Sequence, residues 1–304
     1  MYSLLTKIAI FLVLMVTGYV FAKRSAAGPE FTRALSSLVI NVFMCATIIN
    51  SVLTADISLT WAELGNIMLV LILTLALGYV LAPAVTKLLP VEESHRPYVK
   101  LLLAVPNNMF IALPVLDQLL GPTAVFYCGL SNIPFNLLLY TCGIWWVTKD
   151  RDGEKYHLRN AFSPPLIATL VAVLIFLLRL PVPQPLRELV SAMSGATMPL
   201  SMIVIGASLS TVSLLDAFKN WRLYLVSLFK LLIFPLLILA LCRHLTDDPI
   251  LLVTATIIAA SPSGVMVSVL ATKYGGDAIF ASEGVLQNVA LSMVTIPVIA
   301  YLLM

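Results

Sequence analysis

The chain has 304 residues, of which 60% are hydrophobic and only 11% charged, with a mean hydropathy of +1.01. A soluble domain averages roughly 45–50% apolar and about 25% charged residues, and so few charges would not cover the surface of a water-soluble fold of this size. The expected class is an all-α polytopic membrane protein, and a net charge of +3 without a basic, aromatic-interleaved tract excludes nucleic acid as a partner.

Lys7 precedes the apolar run 8–22, but Lys23-Arg24 follows it directly. That flank suits a cytoplasmic stop rather than a cleaved signal peptide, so the run reads as the first transmembrane helix. A span needs about 20 mostly apolar residues. Ten such runs follow in order: 4–22, 34–53, 62–88, 98–119, 122–148, 161–180, 188–211, 222–242, 249–272 and 278–303. Turn-forming punctuation separates them: Gly28-Pro29, Pro90, Gly121-Pro122, Pro181–Pro185, Asp247-Asp248-Pro249 and Gly275-Gly276. Of the 18 Lys and Arg, thirteen fall in the connections after spans 1, 3, 5, 7 and 9, four fall on the other side, and Lys230 lies inside span 8. The bias puts both termini outside and the loop 149–160 in the cytoplasm. The histidines His95, His157 and His244 lie in polar connections, and Cys45, Cys128, Cys142 and Cys242 are far apart in apolar runs. Neither a metal site, nor a cofactor, nor a disulfide framework is expected, and the thiols read as buried and free.

The loop 149–160 divides the chain into halves, 1–148 and 161–304, each of five spans and therefore of opposite topology. An offset of 154 residues sets Arg33 on Arg187 and Gly121 on Gly275. It also sets two interruptions near one another. Span 4 reads Val105-Pro106-Asn107-Asn108-Met109, then Pro114, and span 9 reads Ala260-Ser261-Pro262-Ser263-Gly264. The offset places Asn107-Asn108 on Ser261-Pro262. Proline in a helix removes a hydrogen bond and clashes with the preceding turn. Matching breaks in the two halves of an inverted repeat are the best sequence pointer to a transporter's binding site. Simple proline kinks are the plainer reading, and the polar neighbours on both breaks favour a functional crossover.

The run Pro106-Asn107-Asn108-Met109-Phe110-Ile111-Ala112-Leu113-Pro114 resembles the Asn-x-x-Phe-[Ile/Met]-[Gly/Ala]-x-Pro signature of the auxin efflux carrier family. Pro134-Phe135-Asn136-Leu137 through Gly143, Lys230-Leu231 with Pro235, and Tyr274-Gly275-Gly276-Asp277 with Thr295-Ile296-Pro297 are similar to stretches of bacterial members. The resemblance covers all ten spans. It implies the fold shared with bile-acid/sodium symporters: two inverted five-helix repeats, a scaffold of helices 1, 2, 6 and 7, and a moving transport domain of helices 3–5 and 8–10, in which broken helices 4 and 9 cross. It also implies small organic anions as substrates, auxins in plants and dicarboxylates such as malate or malonate in bacteria. A homodimer through the scaffold is implied too. The chain lacks the long cytoplasmic loop of the plant exporters and is similar to the compact prokaryotic type, in a bacterial inner membrane.

The half-helices beginning near Met109 and Gly264 are expected to turn N-terminal dipole ends toward the membrane centre, where they attract an anion. Asn107 and Asn108, with Ser261 and Ser263, offer donors to a carboxylate, and Pro106, Pro262 and Gly264 complete the crossover. Local capping of the broken helix is the other reading of the two asparagines. Asn132 and Asn136 are four apart on one face of span 5, and either lining of the site or interhelical hydrogen bonding fits them. Lys230 lies eight residues into span 8, about 12 Å deep at 1.5 Å per residue. It matches a basic position of the family and suits attraction of the anion or tethering of helices, with snorkelling to the interface as the alternative. Glu283, where the family usually has a small neutral residue, is either a coupling-proton site or a carboxylate in cytoplasmic water. No Asp or Glu adjoins the two breaks, which favours proton coupling or facilitated diffusion over sodium. An intramembrane enzyme would need paired aspartates, a Ser/His arrangement or a metal motif within the spans, and none is present. A receptor or an anion channel are the remaining alternatives to a carrier.

Overall fold

The computed structural model describes residues 2–24, 29–54, 59–149, 163–210, 214–274 and 276–303. The rest of the boundary loop 149–160, with Arg151, Lys155, His157 and Arg159, lies outside the described residues, as do Gly28 and Gly275.

Every apolar run read from the sequence is helical. Helix α1 is Tyr2–Arg24, and α2 (Pro29–Leu38) passes through a π-helical turn, Val39–Phe43, into α3 (Met44–Thr54). Helix α4 is Trp61–Leu88. Span 4 is split into α5 (Arg96–Ala104) and a π-helical turn, Asn108–Ala112, continued by α6 (Leu113–Leu120). Span 5 comprises α7 (Pro122–Leu130), α8 (Asn132–Leu138), a π-helical turn at Leu139–Gly143 and α9 (Ile144–Thr148). Then come α10 (Pro164–Leu178), α11 (Gln184–Leu209), a short α12 (Leu214–Lys219) where a loop was expected, and α13 (Trp221–Leu228). A π-helical turn at Phe229–Ile233 leads into α14 (Phe234–Cys242). Span 9 is split into α15 (Pro249–Ala260) and α16 (Met266–Lys273), and α17 (Ala278–Leu303) ends the chain. Among the described residues, five helices are long and apolar enough to cross a membrane: Glu30–Thr54, Trp61–Leu88, Gln184–Ser208, Trp221–Cys242 and Ala278–Leu303.

The boundaries follow from local chemistry. Thr60 and Glu63 form a reciprocal capping box at the start of α4, with Thr60 N–H donating to Glu63 Oε2 at 2.7 Å and Glu63 N–H to Thr60 Oγ1 at 3.3 Å. Asp248 Oδ1 accepts from the Ile250 and Leu251 N–H groups at the start of α15, with Pro249 in the first turn. Helix α11 begins at Gln184, earlier than expected, because Pro185 suits a first helical turn. Span 5 is interrupted at Ser131, since Pro134 has no N–H for the Leu130 carbonyl. Gly121, with φ of 75°, makes the tight turn from α6 to α7.

The chain forms two compact units interleaved along the sequence. Unit 1 is Met1–Leu64, Met109–Ile133 and Ser163–Thr211, and unit 2 is Gly65–Asn108, Pro134–Phe162 and Val212–Met304. Spans 1, 2, 6 and 7 fall in unit 1, together with the second half of span 4 and the first of span 5.

In unit 1, α1 and α11 touch backbone to backbone. A Cβ at Gly18 would collide with the Ile203 carbonyl, and one at Gly206 with the Met15 carbonyl. Small residues permit such an approach where lipid supplies no hydrophobic drive between helices. Thr47 of α3 and Thr197 of α11 lie 2.7 Å apart at Oγ1 and share the Phe43 carbonyl at 3.0 Å each. That carbonyl belongs to the π-helical turn.

In unit 2, positions four residues apart on α17 meet the residue before α5, α5 itself and the break of span 9 in turn. Phe280 stacks on His95 with ring centroids 4.0 Å apart, a Cβ at Gly284 would come within 2.5 Å of Leu102 Cδ1, and Asn288 reaches Ser263. Large apolar side chains face outward: Val13, Val80, Leu174 and Val294 are all more than half exposed, as a lipid-facing surface requires. The expectation of buried thiols is corrected at two positions. Cys142 is exposed and Cys45 half-buried, while Cys128 and Cys242 are buried. In the turn Leu139–Gly143, Leu139 and Gly143 are the buried positions, which leaves Cys142 on the outer side.

Gly206→Val is expected to lose much or all of the folded protein, because a backbone carbonyl cannot step aside and even ordinary overpacking costs about 1–3 kcal/mol. Gly195→Ala, with nothing within 4 Å of its Cβ, is the control and should be neutral or slightly stabilising. Thermal unfolding of the detergent-purified variants checks both.

Candidate binding site at two helix breaks

The two interruptions meet within unit 2. Pro106 lies opposite Ser263 in an isolated antiparallel bridge. Asn107 N–H donates to the Pro262 carbonyl at 2.8 Å, and Gly264 N–H donates to the Val105 carbonyl at 2.9 Å. The pairing differs from the 154-residue alignment, which set Asn107-Asn108 on Ser261-Pro262. A Cβ on Gly264 would stand 3.3 Å from the Pro106 carbonyl oxygen, tighter than ordinary contact.

Each proline leaves a carbonyl without its helical donor four residues back, and a serine supplies the missing proton in both cases. Pro106 deprives Leu102, whose carbonyl accepts from Ser263 Oγ at 2.6 Å. Pro262 deprives Ile258, whose carbonyl accepts from Ser261 Oγ at 2.7 Å. The sequence reading assigned both serine hydroxyls as donors to a carboxylate. In the structure their single protons are committed to backbone. Neither hydroxyl proton is therefore available to a ligand.

Asn107 and Asn108 are 6% and 2% exposed, and Ser261 and Ser263 are fully buried. Beyond the breaks, the second part of span 4 starts as a π-helical turn at Asn108, and the second part of span 9 starts at Met266, past Gly264. Such π turns recur at functional sites.

The other sequence candidates are placed as follows. Asn132 Nδ2 donates to the Gly129 carbonyl at 3.0 Å, and Thr169 Oγ1 of α10 reaches the same carbonyl at 3.1 Å. Asn132 thus shares an interhelical contact inside unit 1. Asn136 is buried on α8, and the unit boundary passes between the two asparagines. Lys230 sits on the π-helical turn Phe229–Ile233 at 1% exposure, so the snorkelling alternative is not adopted. Its ammonium lies 5.5 Å from the Phe234 ring centroid, and no carboxylate lies within 4 Å among the described residues. Glu283 is half-buried on α17. Asn288, a polar residue of span 10, is a member of the bridge that the sequence reading does not assign. It donates through Nδ2 to Ser263 Oγ at 2.9 Å, and its burial in an apolar span was the available signal.

Outside the spans, a clasp joins the entries of α5 and α17. His95 Nε2 donates to Asp277 Oδ2 at 3.1 Å. Phe280 N–H donates to Asp277 Oδ1 at 2.9 Å, and this bond, ahead of the His95 contact, holds the Asp277 carboxyl below its ordinary value of 3.8.

The chain matches the family described as "Membrane transport protein" over residues 3–300. It is 30% identical over 146 residues to a protein of Rhizobium meliloti (strain 1021) named "Putative malonate transporter". That match takes in 48% of this chain and 45% of the relative.

A depressed carboxyl contributes stability that is complete above its unfolded value and lost as the pH falls through the folded one. The wild type is therefore expected to lose thermal stability below about pH 4, and Asp277→Asn to lose less over the same range. Melting curves from pH 7 to pH 3 check it, and equal acid slopes would refute it.

Proposed function

Since the chain belongs to this family of membrane transport proteins, the auxin efflux carriers, which are transporters and not enzymes, we propose that it is a secondary transporter moving a small organic anion across the bacterial inner membrane. The observation that carries the reading is the bridge between Pro106 and Ser263. Unwound backbone inside an apolar bundle is tolerated only where it is buried in protein or lines a cavity. Here two unwound segments are placed against each other with their orphaned carbonyls met by serine. The half-helix that follows the break in span 9 starts at Met266 in unit 2, and its first turn presents the positive end of the helix dipole, an environment for a carboxylate.

In this reading the carboxylate is held by Asn107, Asn108 and backbone N–H groups near Gly264, and Pro106, Ser261, Pro262 and Ser263 shape the seat. Lys230, an ammonium with no carboxylate within 4 Å among the described residues, offsets the anion's charge. Asn136, which lies in unit 2, contributes from span 5, and Glu283 is the candidate for a coupling proton. The ten spans form two inverted repeats, with the transport domain of helices 3–5 and 8–10 moving against the scaffold in an elevator-type alternating-access cycle. The termini lie outside, and the scaffold mediates a homodimer. A dicarboxylate such as malonate is the first substrate to test, from the name of the Rhizobium relative.

Uptake of labelled malonate, malate and indole-3-acetate into proteoliposomes tests the function. Saturable, counterflow-competent uptake of one anion is expected. Asn107→Ala should raise KM about tenfold, as loss of one charge-assisted hydrogen bond predicts, and Gly264→Val should abolish uptake by overfilling the bridge. Unsaturable flux would indicate a channel, and no uptake under either a proton or a sodium gradient would refute the substrate class.

Lys230→Met separates function from packing. Replacing a buried ammonium that has no carboxylate partner among the described residues by an apolar chain of similar length should raise the melting temperature by several degrees, on the order of 1–3 kcal/mol, while lowering uptake. A variant that is less stable and fully active would sink the charge-compensation role.

A further inference from the structure

Three buried groups form a directed chain across unit 2. Asn288 of α17 donates through Nδ2 to Ser263 Oγ at 2.9 Å, and Ser263 Oγ donates to the Leu102 carbonyl of α5 at 2.6 Å. None of the three residues is more than 1% exposed.

The direction of each bond is forced by chemistry. A carbonyl only accepts, and a serine hydroxyl has one proton, which here goes to Leu102. Asn288 must then present its N–H to Ser263, so its amide orientation does not depend on how nitrogen and oxygen were assigned. Its other atom, Oδ1, has no hydrogen-bond partner among the described residues. The donation to Ser263 is therefore what this amide does in the structure. The preceding residue, Gln287, is just as buried, and neither of its polar atoms has a hydrogen-bond partner among the described residues. Two adjacent amides thus divide sharply, one tied to the helix break and one not.

We propose that Asn288 is a positioning residue for the crossover. By holding Ser263 it secures the carbonyl that Pro106 orphans, and it thereby sets the spacing of the two unwound segments that the anion reading uses. Gly284, one turn earlier on α17, admits Leu102 at the closeness this chain needs, since a Cβ there would stand 2.5 Å from Leu102 Cδ1. Aspartate would not substitute. A carboxylate accepts and does not donate when ionised, so it would compete with Leu102 for the serine proton.

The inference rests on the break pair being the anion site, but its first readout does not require transport. Amide hydrogen exchange of the detergent-purified full chain is followed in peptides covering 102–110 and 258–268. Asn288→Leu is expected to speed exchange there by tenfold or more, as is Ser263→Ala, while Gln287→Leu leaves it unchanged. Should Asn288→Leu not fold, Ser263→Ala opens the same chain from the other side. In malonate uptake, Asn288→Leu and Ser263→Ala should each raise KM several-fold, and the double variant should be no worse than the poorer single one. Wild-type exchange in both folded variants, or effects on KM that simply add, would overturn the positioning role. If wild type takes up no organic anion while exchange responds as expected, the transport reading falls and the Asn288 chain stands.

Discussion

A carbonyl stripped of its hydrogen bond inside an apolar bundle is the constraint around which unit 2 is organised. Water is not there to rescue it, and each unmet backbone group costs on the order of several kcal/mol in hydrocarbon. Pro106 and Pro262 create two such groups at Leu102 and Ile258. The repairs come from Ser261 and Ser263, both in the break of span 9. One break therefore serves both helices, and neither is complete without it. The backbone pair Asn107–Pro262 and Gly264–Val105 then closes the bridge.

The close packing around the bridge serves the same end. Residues Phe280, Gly284 and Asn288 of α17 recur every four positions and meet His95, Leu102 and Ser263 in turn. That stacking carries the order of the Asp277 cap at one end of α17 to the bridge further along it. A rigid helix pair brings a buried amide to the atom it must bond more reliably than a loop would. The backbone contact of Gly18 and Gly206 does comparable work in unit 1, where small residues stand in for the hydrophobic drive that lipid removes.

The same accounting bears on the sign of the proposed ligand. The serine protons are spent on backbone carbonyls, and no acidic residue adjoins either break. The proposed carboxylate is the ligand whose sign suits breaks with no acidic neighbour. Lys230, buried on a π-helical turn without a carboxylate neighbour among the described residues, adds to the same polarity.

Much of this was legible in the chain itself. Apolar run length and the scarcity of charge determined a helical membrane protein, because a bilayer accepts little else. Proline marked where spans 4 and 9 break, since its missing N–H acts locally and needs no partner to be recognised. Asparagine positions hinted at polar contacts without saying with whom. Only the tertiary structure decided that Pro106 faces Ser263, that the hydroxyls of Ser261 and Ser263 are consumed by backbone, that Lys230 is buried rather than snorkelling, and that Asn288 and not Gln287 reaches the bridge. Those outcomes depend on which atoms helices distant in sequence bring within 3 Å of one another. A hydrogen bond is lost over a few tenths of an ångström, and that scale is set by packing and not by the order of residues along the chain.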